Sequence, residues 1–271
     1  MSALTLELKN PPRWRIDMRS LTPHQLATKT NKEIAALPLY YGNRKIQVGD
    51  LFKISGRDKN NLQILSDSPK LDYIGAENTL GNITVEGMAG AYAGTEMKAG
   101  TLVIIGDAGD YTAAGLVHGN ITIHGNTGNF LGAALVGERQ GMRGGNIIVK
   151  GNAGDRVADR QRRGTIIIHG NCGDYCAARM IAGSVAVLGK AGNNAGYNMK
   201  RGSLLFKQKP ASIPVTFNHN GEIDLPFIRL FFQHLQTIDK DLPLLSKKIN
   251  LHRYLGDLAC GGLGEILVMS K

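Results

Sequence analysis

The chain has 271 residues, of which 42% are hydrophobic, so its length suits one large domain or two small ones with a substantial core. Its formal net charge of +10 indicates an acidic partner, an acidic substrate or basic interfaces. Three cysteines argue against a disulfide framework. The lack of a signal sequence and of an apolar run of about 18 residues predicts a cytoplasmic protein that spans no membrane.

Residues 1–47 are predicted to form an N-terminal cap of one strand and two short helices. The alternating residues 4–8 indicate the strand, Pro23 suits the first turn of one helix, and residues 30–37 suit the second. A cap is needed because the end of a stacked repeat would otherwise expose its apolar interior.

A repeat occupies residues 81–207 and dominates the chain. The units open with glycines that are 19 residues apart except for one interval of 26, namely Gly81, Gly100, Gly119, Gly145, Gly164, Gly183 and Gly202. Self-similarity at a fixed period is typical of a solenoid, in which each unit stacks on the one before it. Residues 48–80 are interpreted as irregular first units, so the repeat domain is predicted to cover residues 48–207.

Two apolar columns run through the repeat, two residues apart within each unit. The first is Ile83, Leu102, Ile121, Ile147, Ile166, Val185 and Leu204, and the second is Val85, Ile104, Ile123, Val149, Ile168, Val187 and Phe206. A third column is small: Ala89, Ala108, Thr127, Ala153, Cys172 and Ala191. Period-2 alternation predicts strands with one buried face. We therefore predict an all-β fold, a right-handed parallel β-helix of about seven to nine coils with small helical caps at both ends.

Two units depart from this pattern. The third carries seven extra residues around positions 137–144, and such insertions form loops on one face, often the binding face. The fourth has Arg156 where other units have Tyr111, Phe130 and Tyr175. These departures make the third and fourth units candidates for a binding surface.

Residues 208–271 are predicted to form a C-terminal arm with one amphipathic helix over residues 225–235. Asp224 is the predicted N-cap, and Pro226 lies in the first turn. The apolar face has helical spacing and consists of Leu225, Ile228, Phe231, Phe232 and Leu235.

No catalytic or metal-binding constellation is evident, so we expect no catalytic residues, no metal and no directly bound cofactor. Cys172 lies in the small interior column and Cys176 at a second small position, so both are interpreted as packed side chains. His124 and His169 follow the inward residues of their strands and are predicted to face solvent. No histidine has a clear Ser or Asp partner at a defined spacing.

A column of short polar side chains lies beside the turn glycines. It consists of Asp110, Asn129, Asp155, Asp174 and Asn193. Such side chains bond neighbouring backbone groups, so we interpret the column as a turn ladder rather than as acid–base catalysts.

Positive charge is concentrated between residues 139 and 201, where eleven basic residues accompany three acidic ones. The candidate site for an anionic partner or a carrier tail consists of Arg139, Arg143, Arg156, Arg160, Arg162, Arg163 and Arg179. The planar fork of arginine suits carboxylates. A solvated face is one alternative. Nucleic acid is disfavoured because the chain has little outward aromatic interleaving and no nucleic-acid fold motif.

The repeat resembles the glycine-repeat β-helix shared by the C-terminal domain of glutamate synthase and the C subunit of formylmethanofuran dehydrogenase. Residues 106–111 (Gly-Asp-Ala-Gly-Asp-Tyr) and 94–100 (Gly-Thr-Glu-Met-Lys-Ala-Gly) carry this resemblance. The flanks, including Leu-Thr-Pro at 21–23 and Gly-Asp-Leu-Ala at 256–259, look like the bacterial counterpart. That counterpart is the C subunit of the formyltransferase/hydrolase complex of methylotrophs, and the resemblance covers essentially the whole chain.

The resemblance implies a complex of four kinds of subunit that serves formaldehyde oxidation. The complex passes a formyl group from formyl-tetrahydromethanopterin to a methanofuran analogue and hydrolyses it to formate. The chemistry would lie on a formyltransferase and an amidohydrolase-like subunit, with a dehydrogenase-like B subunit as the third partner. This chain would be a non-catalytic scaffold, and the carrier's oligoglutamate tail would suit the arginines.

Two alternatives stay open at this point. The chain could be the C subunit of an archaeal-type redox formylmethanofuran dehydrogenase, whose metal ligands would lie on another subunit. It could also be a glutamate synthase-type structural module that helps to wall an ammonia tunnel.

Overall fold

The computed structural model describes residues 2–223, 226–242 and 250–270, and most of its regular structure is β-strand. The N-terminal elements are β1 (Ala3–Leu8), β2 (Ile16–Asp17), α1 (Pro23–Leu26), α2 (Asn31–Ala35), β3 (Pro38–Tyr41), β4 (Arg44–Gln47), α3 (Val48–Leu51), β5 (Phe52–Ser55), β6 (Asp58–Ser66) and β7 (Leu71–Asp72). The predicted first strand and both predicted helices are present. A capping box between Thr30 and Glu33 starts α2. A small sheet of order β4-β3-β2-β7 was not predicted.

The repeat contributes one main strand per unit. These are β8 (Asn82–Gly87), β9 (Thr101–Ile104), β10 (Asn120–Ile123), β11 (Asn146–Val149), β12 (Thr165–Ile168), β13 (Ser184–Val187) and β14 (Arg201–Phe206). Each pairs in parallel with the next and stays in register, so that Ile121 lies between Leu102 and Ile147. The parallel register confirms that equivalent positions stack, and the strand content places the protein in the all-β class.

The core follows the predicted columns. Every member of the two apolar columns is at most 1% exposed. The small column forms a second parallel ladder of single bridges, from Ala89 to Ala191, and its members are at most 7% exposed. The seven-residue insertion leaves the register intact, because β10 and β11 pair as the other strands do.

The C-terminal part extends the sheet and adds one long helix. Its elements are β15 (Asn218–Ile223), α4 (Pro226–Ile238), β16 (Leu251–Gly256), a 3₁₀ turn (Leu258–Cys260) and β17 (Leu263–Met269). β17 pairs in parallel with β14, and β16 and β15 continue the sheet in antiparallel fashion. The predicted cap Asp224 and Leu225 lie outside the described residues. Within those residues, no helix has the length and apolarity that a membrane crossing requires.

The helix α4 packs on the outward face of the last repeat strands. Its buried Ile228, Phe232 and Leu235 join a second apolar cluster, whose other buried members are Ile167, Ala186, Leu205, Leu242, Leu251 and Leu267. The prediction of one buried face per strand therefore holds for β8 to β11 and is wrong for the covered strands β12 to β14. The arm thus leaves part of the sheet open and covers the rest.

Candidate functional site

The centre of the arginine-rich region is a buried carboxylate, Asp159, which is 4% exposed. Nε of Arg179 donates to its Oδ1 at 2.9 Å, and Nη2 of Arg179 contacts Oδ2. Nη1 of Arg156 lies 3.7 Å from Oδ2. The hydrogen bonds to Asp159 raise the pKa of Arg179. Two of the seven candidate arginines are therefore partly committed to neutralising a carboxylate of the same chain.

Arg156 occupies a position that holds an aromatic residue in other units, as the sequence shows, and the structure stacks those aromatic rings into a column. Tyr73, Tyr92, Tyr111 and Phe130 stack with ring centroids 4.8, 5.1 and 4.6 Å apart. The guanidinium of Arg156 then lies 4.9 Å from the ring of Tyr175. The substitution brings a cation beside Asp159 and preserves a stacking contact with the next unit.

Two further arginines make contacts at the insertion loop. Arg143 Nη2 donates to Glu96 Oε1 at 3.1 Å, and Arg160 Nη1 donates to the carbonyl oxygen of Glu138 at 3.2 Å. Arg139 is exposed at the loop and has no ion pair with any described residue. Glu96 lies outside the arginine-rich stretch, so charge counting over residues 139–201 could not reveal this pairing.

Two clefts lie against this loop. The first, the aromatic cleft, has a volume of 340 Å³ and is lined by Tyr111, Phe130, Arg160 and Arg179 together with loop residues. The second has a volume of 330 Å³ and contains Arg139 and Arg143 beside Glu96 and Glu138. Both cations and carboxylates line each cleft, so neither is purely basic.

Arg162 and Arg163 lie in a different place, the basic groove. This groove has a volume of 470 Å³ and is also lined by His118 and by His234 of α4. Both arginines are exposed, and neither forms an ion pair with the described residues. No residue lines both the basic groove and either cleft. The structure therefore places Arg139, Arg143, Arg156, Arg160 and Arg179 around the loop and Asp159, whereas Arg162 and Arg163 line a separate groove.

The two cysteines of the repeat are packed in the interior. Cys172 is 5% exposed and Cys176 is 1% exposed. A hydrogen bond with Cys172, together with burial, raises the pKa of Cys176 well above its usual value. Such a thiol is protonated and shielded at neutral pH, which agrees with the interpretation of both residues as small core side chains.

The two histidines have different surroundings. His124 is exposed, as predicted. The prediction that His169 is a solvated surface residue is wrong, because Asp239, the residue after α4, covers it with a 2.5 Å contact between Nε2 of His169 and Oδ2 of Asp239. Lys150 donates to Asp239 at 2.8 Å and to Asp241 at 2.7 Å. These contacts form a polar latch that fastens the arm to β11 and β12, and no short-range sequence signal could reveal it.

The latch favours the ionised form of its carboxylate. Burial disfavours the charge of Asp239, but hydrogen bonds from His169, Lys150 and the backbone of Asp241 outweigh it and lower the pKa of Asp239. A lowered carboxyl pKa contributes stability that is complete above the unfolded value of about 4 and is lost as the pH falls through the folded value.

Replacing Asp239 with Asn should therefore lower the free energy of unfolding at neutral pH by about 1–3 kcal/mol. It should also flatten the loss of stability of the wild type below about pH 4. Urea unfolding at a series of pH values measures both effects. Asp241→Asn is the control, because that side chain is 74% exposed and its pair should contribute only about 0–1 kcal/mol. Equal acid sensitivity of the wild type and Asp239→Asn would contradict the role of the latch.

The column of short polar side chains acts as a turn ladder, as predicted. Asn129 Oδ1 accepts from the N–H of Asp155 at 2.8 Å, and Asp155 Oδ1 accepts from the N–H of Asp174 at 2.8 Å. Asp174 repeats the contact with Asn193 at 2.6 Å. These side-chain oxygens accept hydrogen bonds from backbone N–H groups of the next unit and therefore serve the fold.

Comparison with known proteins agrees with the repeat architecture. The family model described as the GXGXG motif matches residues 52–225. The chain belongs to the GXGXG motif family, in the group that includes the C subunits of formyltransferase/hydrolase and formylmethanofuran dehydrogenase complexes. This confirms the resemblance inferred from the sequence.

Particular relatives define the similarity further. One chain in the X-ray crystal structure of the formyltransferase/hydrolase complex (FhcABCD) from Methylorubrum extorquens, in complex with methylofuran, is 37% identical. The match covers 98% of this chain and 100% of that one, with a TM-score of 0.92. The C subunit of the formyltransferase/hydrolase complex Fhc of the same organism is 38% identical over 86 residues, 32% of each chain.

An archaeal relative is more distant. The C subunit of the tungsten-containing formylmethanofuran dehydrogenase 2 of Methanothermobacter marburgensis is 30% identical over 97 residues, 34% of this chain and 36% of that protein. The chain therefore matches about a third of the length of each curated relative.

Proposed function

We propose that this chain is the C subunit of a formyltransferase/hydrolase complex of one-carbon metabolism. The observation that carries the proposal is the end-to-end similarity to a chain of the Methylorubrum extorquens complex. The complex would transfer a formyl group from formyl-tetrahydromethanopterin to a methanofuran-type carrier and release formate, in the cytoplasm. Its other subunits would be the formyltransferase, the amidohydrolase-like subunit and the dehydrogenase-like B subunit.

The role proposed for this chain is that of a scaffold. Its candidate catalytic groups are occupied by structural contacts: the thiols are buried, the turn carboxylates bond backbone N–H groups, and His169 belongs to the latch. In the part of the chain that the structure describes, no three His, Cys, Asp or Glu residues are grouped to hold a metal ion. The carrier would be bound at the level of the complex.

The same proposal assigns a shape and three regions to the chain. Residues 48–207 would form a right-handed parallel β-helix, capped by residues 1–47 and by an arm over residues 208–271. Two parallel ladders per unit support this, one through the main strands and one through the small column. A rigid rod with two capped ends suits a scaffold, because it presents fixed lateral faces to several partners.

The redox dehydrogenase alternative is less favoured. The C subunit of the archaeal tungsten enzyme is 30% identical, and the match covers 36% of its length. The chain of the bacterial complex is 37% identical, and the match covers its whole length. A glutamate synthase-type module would share the repeat but would not account for the similarity of both flanking regions.

The arginines are proposed to engage acidic groups of a sister subunit or of the carrier's tail. The support is their concentration beside the insertion loop and in the basic groove. Solvent-exposed pairs contribute only about 0–1 kcal/mol each, so the surface would act through several arginines together.

Reconstitution tests the proposal. We expect the purified chain alone to show no formyl transfer or hydrolysis, and the chain co-expressed with the three other subunits to co-purify with them and to release formate from formyl-methylofuran. A complex that assembles and turns over fully without this chain would contradict the scaffold role. Turnover by the isolated chain would contradict its lack of catalytic residues.

A further inference from the structure

A stripe of basic residues follows one edge of the repeat. It occupies the two positions before the opening glycines and consists of Lys98, His118, Arg143, Arg162, Arg163, Lys200 and Arg201. No acidic residue occupies these positions in any unit from Gly100 to Gly202. Parallel strands lie about 4.8 Å apart, so the stacked units align these positions, except that the unit opening at Gly183 has the uncharged Ile181 and Ala182 there. Lys98 pairs with Glu77 and Arg143 pairs with Glu96, whereas Arg162 and Arg163, in the middle of the stripe, have no ion pair within the described part of the chain.

The basic groove lies at this middle section. No Asp or Glu is among the described residues that line it. The backbone N–H groups of its glycines Gly145, Gly164 and Gly183 donate to no acceptor within residues 2–223, 226–242 and 250–270. Arginine side chains that meet no carboxylate of their own chain form a favourable environment for an anionic partner. The groove is therefore built to receive negative charge.

The groove continues onto an apolar stripe of α4. Phe227, Leu230 and His234 have helical spacing of three and four residues, so they share one side of the helix. Phe227 is 40% exposed and Leu230 is 68% exposed, whereas the opposite side of α4 is buried in the second apolar cluster. His234 also lines the basic groove. A single segment of a binding partner can thus place negative charge in the groove and apolar side chains against α4.

We propose that the basic groove and the outer side of α4 together form a docking surface for an acidic segment of a sister subunit that also carries apolar side chains. The inference rests on the proposed function, which supplies the sister subunits. An acidic carrier tail or a nucleic acid would satisfy Arg162 and Arg163 but would leave Leu230 and Phe227 in water. A mixed acidic and apolar protein segment satisfies both parts of the surface.

The test uses this chain, tagged and co-expressed with the three other subunits of the proposed complex. Charge reversal by Arg162→Glu with Arg163→Glu should reduce the retained sister subunits at least about tenfold at physiological ionic strength, because like charges then face each other. Leu230→Ser should reduce retention independently, without changing the net charge. The matched control is Arg44→Glu with Lys45→Glu on β4, which should change retention less than about twofold.

A photoreactive benzoylphenylalanine at position 230 identifies the occupant. In the assembled complex it should cross-link to a peptide of a sister subunit that contains acidic and apolar residues, and Arg162→Glu with Arg163→Glu should abolish that cross-link. A cross-link to a second copy of this chain, to a peptide without acidic residues, to nucleic acid or to nothing would overturn the inference. Circular dichroism of each variant checks folding, which these exposed side chains should not affect.

The experiment separates the inference from the proposed function. If the wild-type chain retains no sister subunit, the proposed function fails. If the wild type retains them and the groove variants retain them equally well, the proposed function stands and the docking surface is wrong.

Discussion

Replacing Ile123 with Asp should prevent the chain from folding. Ile123 is fully buried in the inner column of β10, between Ile104 and Val149 of the neighbouring strands. The change removes packing worth about 2–5 kcal/mol and buries a carboxyl group without a partner, which costs several kcal/mol more. The sum is comparable with the whole stability of a domain, about 5–15 kcal/mol. We expect insoluble protein, or soluble protein without a cooperative thermal transition by circular dichroism.

The matched control lies one residue away. Thr122 is on the outer side of the same strand and is half-buried rather than enclosed. Thr122→Asp adds the same charge to the same strand, and water can solvate it, so the change in the free energy of unfolding should stay near 1 kcal/mol or below. A soluble Ile123→Asp variant with the melting temperature of the wild type would show that the assignment of the two faces is wrong.

Replacing Gly100 with Ala should destabilise the protein by about 3 kcal/mol or more, although it adds one methyl group. Gly100 has φ +89°, and a Cβ there would lie 2.2 Å from the carbonyl oxygen of Gly81 in the preceding unit. The neighbour is backbone, so relief requires that one unit move relative to the next. Urea unfolding of the variant measures the effect.

Gly137 is the control that separates the backbone strain of a positive φ from the steric clash with the preceding unit. It has the same φ of +89°, but it lies in the insertion loop and a Cβ would meet nothing within 4 Å. Gly137→Ala therefore carries only the backbone strain of a positive φ, about 1–2 kcal/mol. The two variants should therefore lose different amounts of unfolding free energy. Equal losses would contradict the inference that close stacking of the units requires glycine at the periodic opening positions.

The internal ion pairs change how the arginine-rich region can act. Asp159 engages Arg156 and Arg179, and Glu96 engages Arg143. A partner at these arginines must share them with an existing carboxylate, whereas Arg162 and Arg163 in the basic groove meet no such competition from the described residues. An acidic partner should therefore gain more binding free energy at Arg162 and Arg163 in the groove than at the other candidate arginines.

The sequence by itself determined the repeat, its inner columns and its turn ladder. These features depend on contacts between equivalent residues of successive units, such as Leu102 with Ile121 or Asp155 with Asp174. Each contact recurs at the repeat spacing, so periodicity alone locates the partners. The burial of Ile123 and Ile168 and the packing of Cys172 followed directly from that spacing. The family relationship was also evident from the sequence, because the flanking segments carry it along with the repeat.

Only the tertiary structure decided what covers the repeat and which arginines lie at the insertion loop or in the basic groove. His169 and Lys150 meet Asp239 across 70 and 89 residues, and no period connects them. The arm also buries Ile167 on the outer side of β12, where alternation predicted an exposed position. Arg160 contacts the insertion loop, whereas Arg162 and Arg163 line the basic groove, and the repeat spacing does not distinguish these two environments. A short-range pattern specifies contacts between stacked units, whereas the path of the arm depends on free energies summed over many distant contacts.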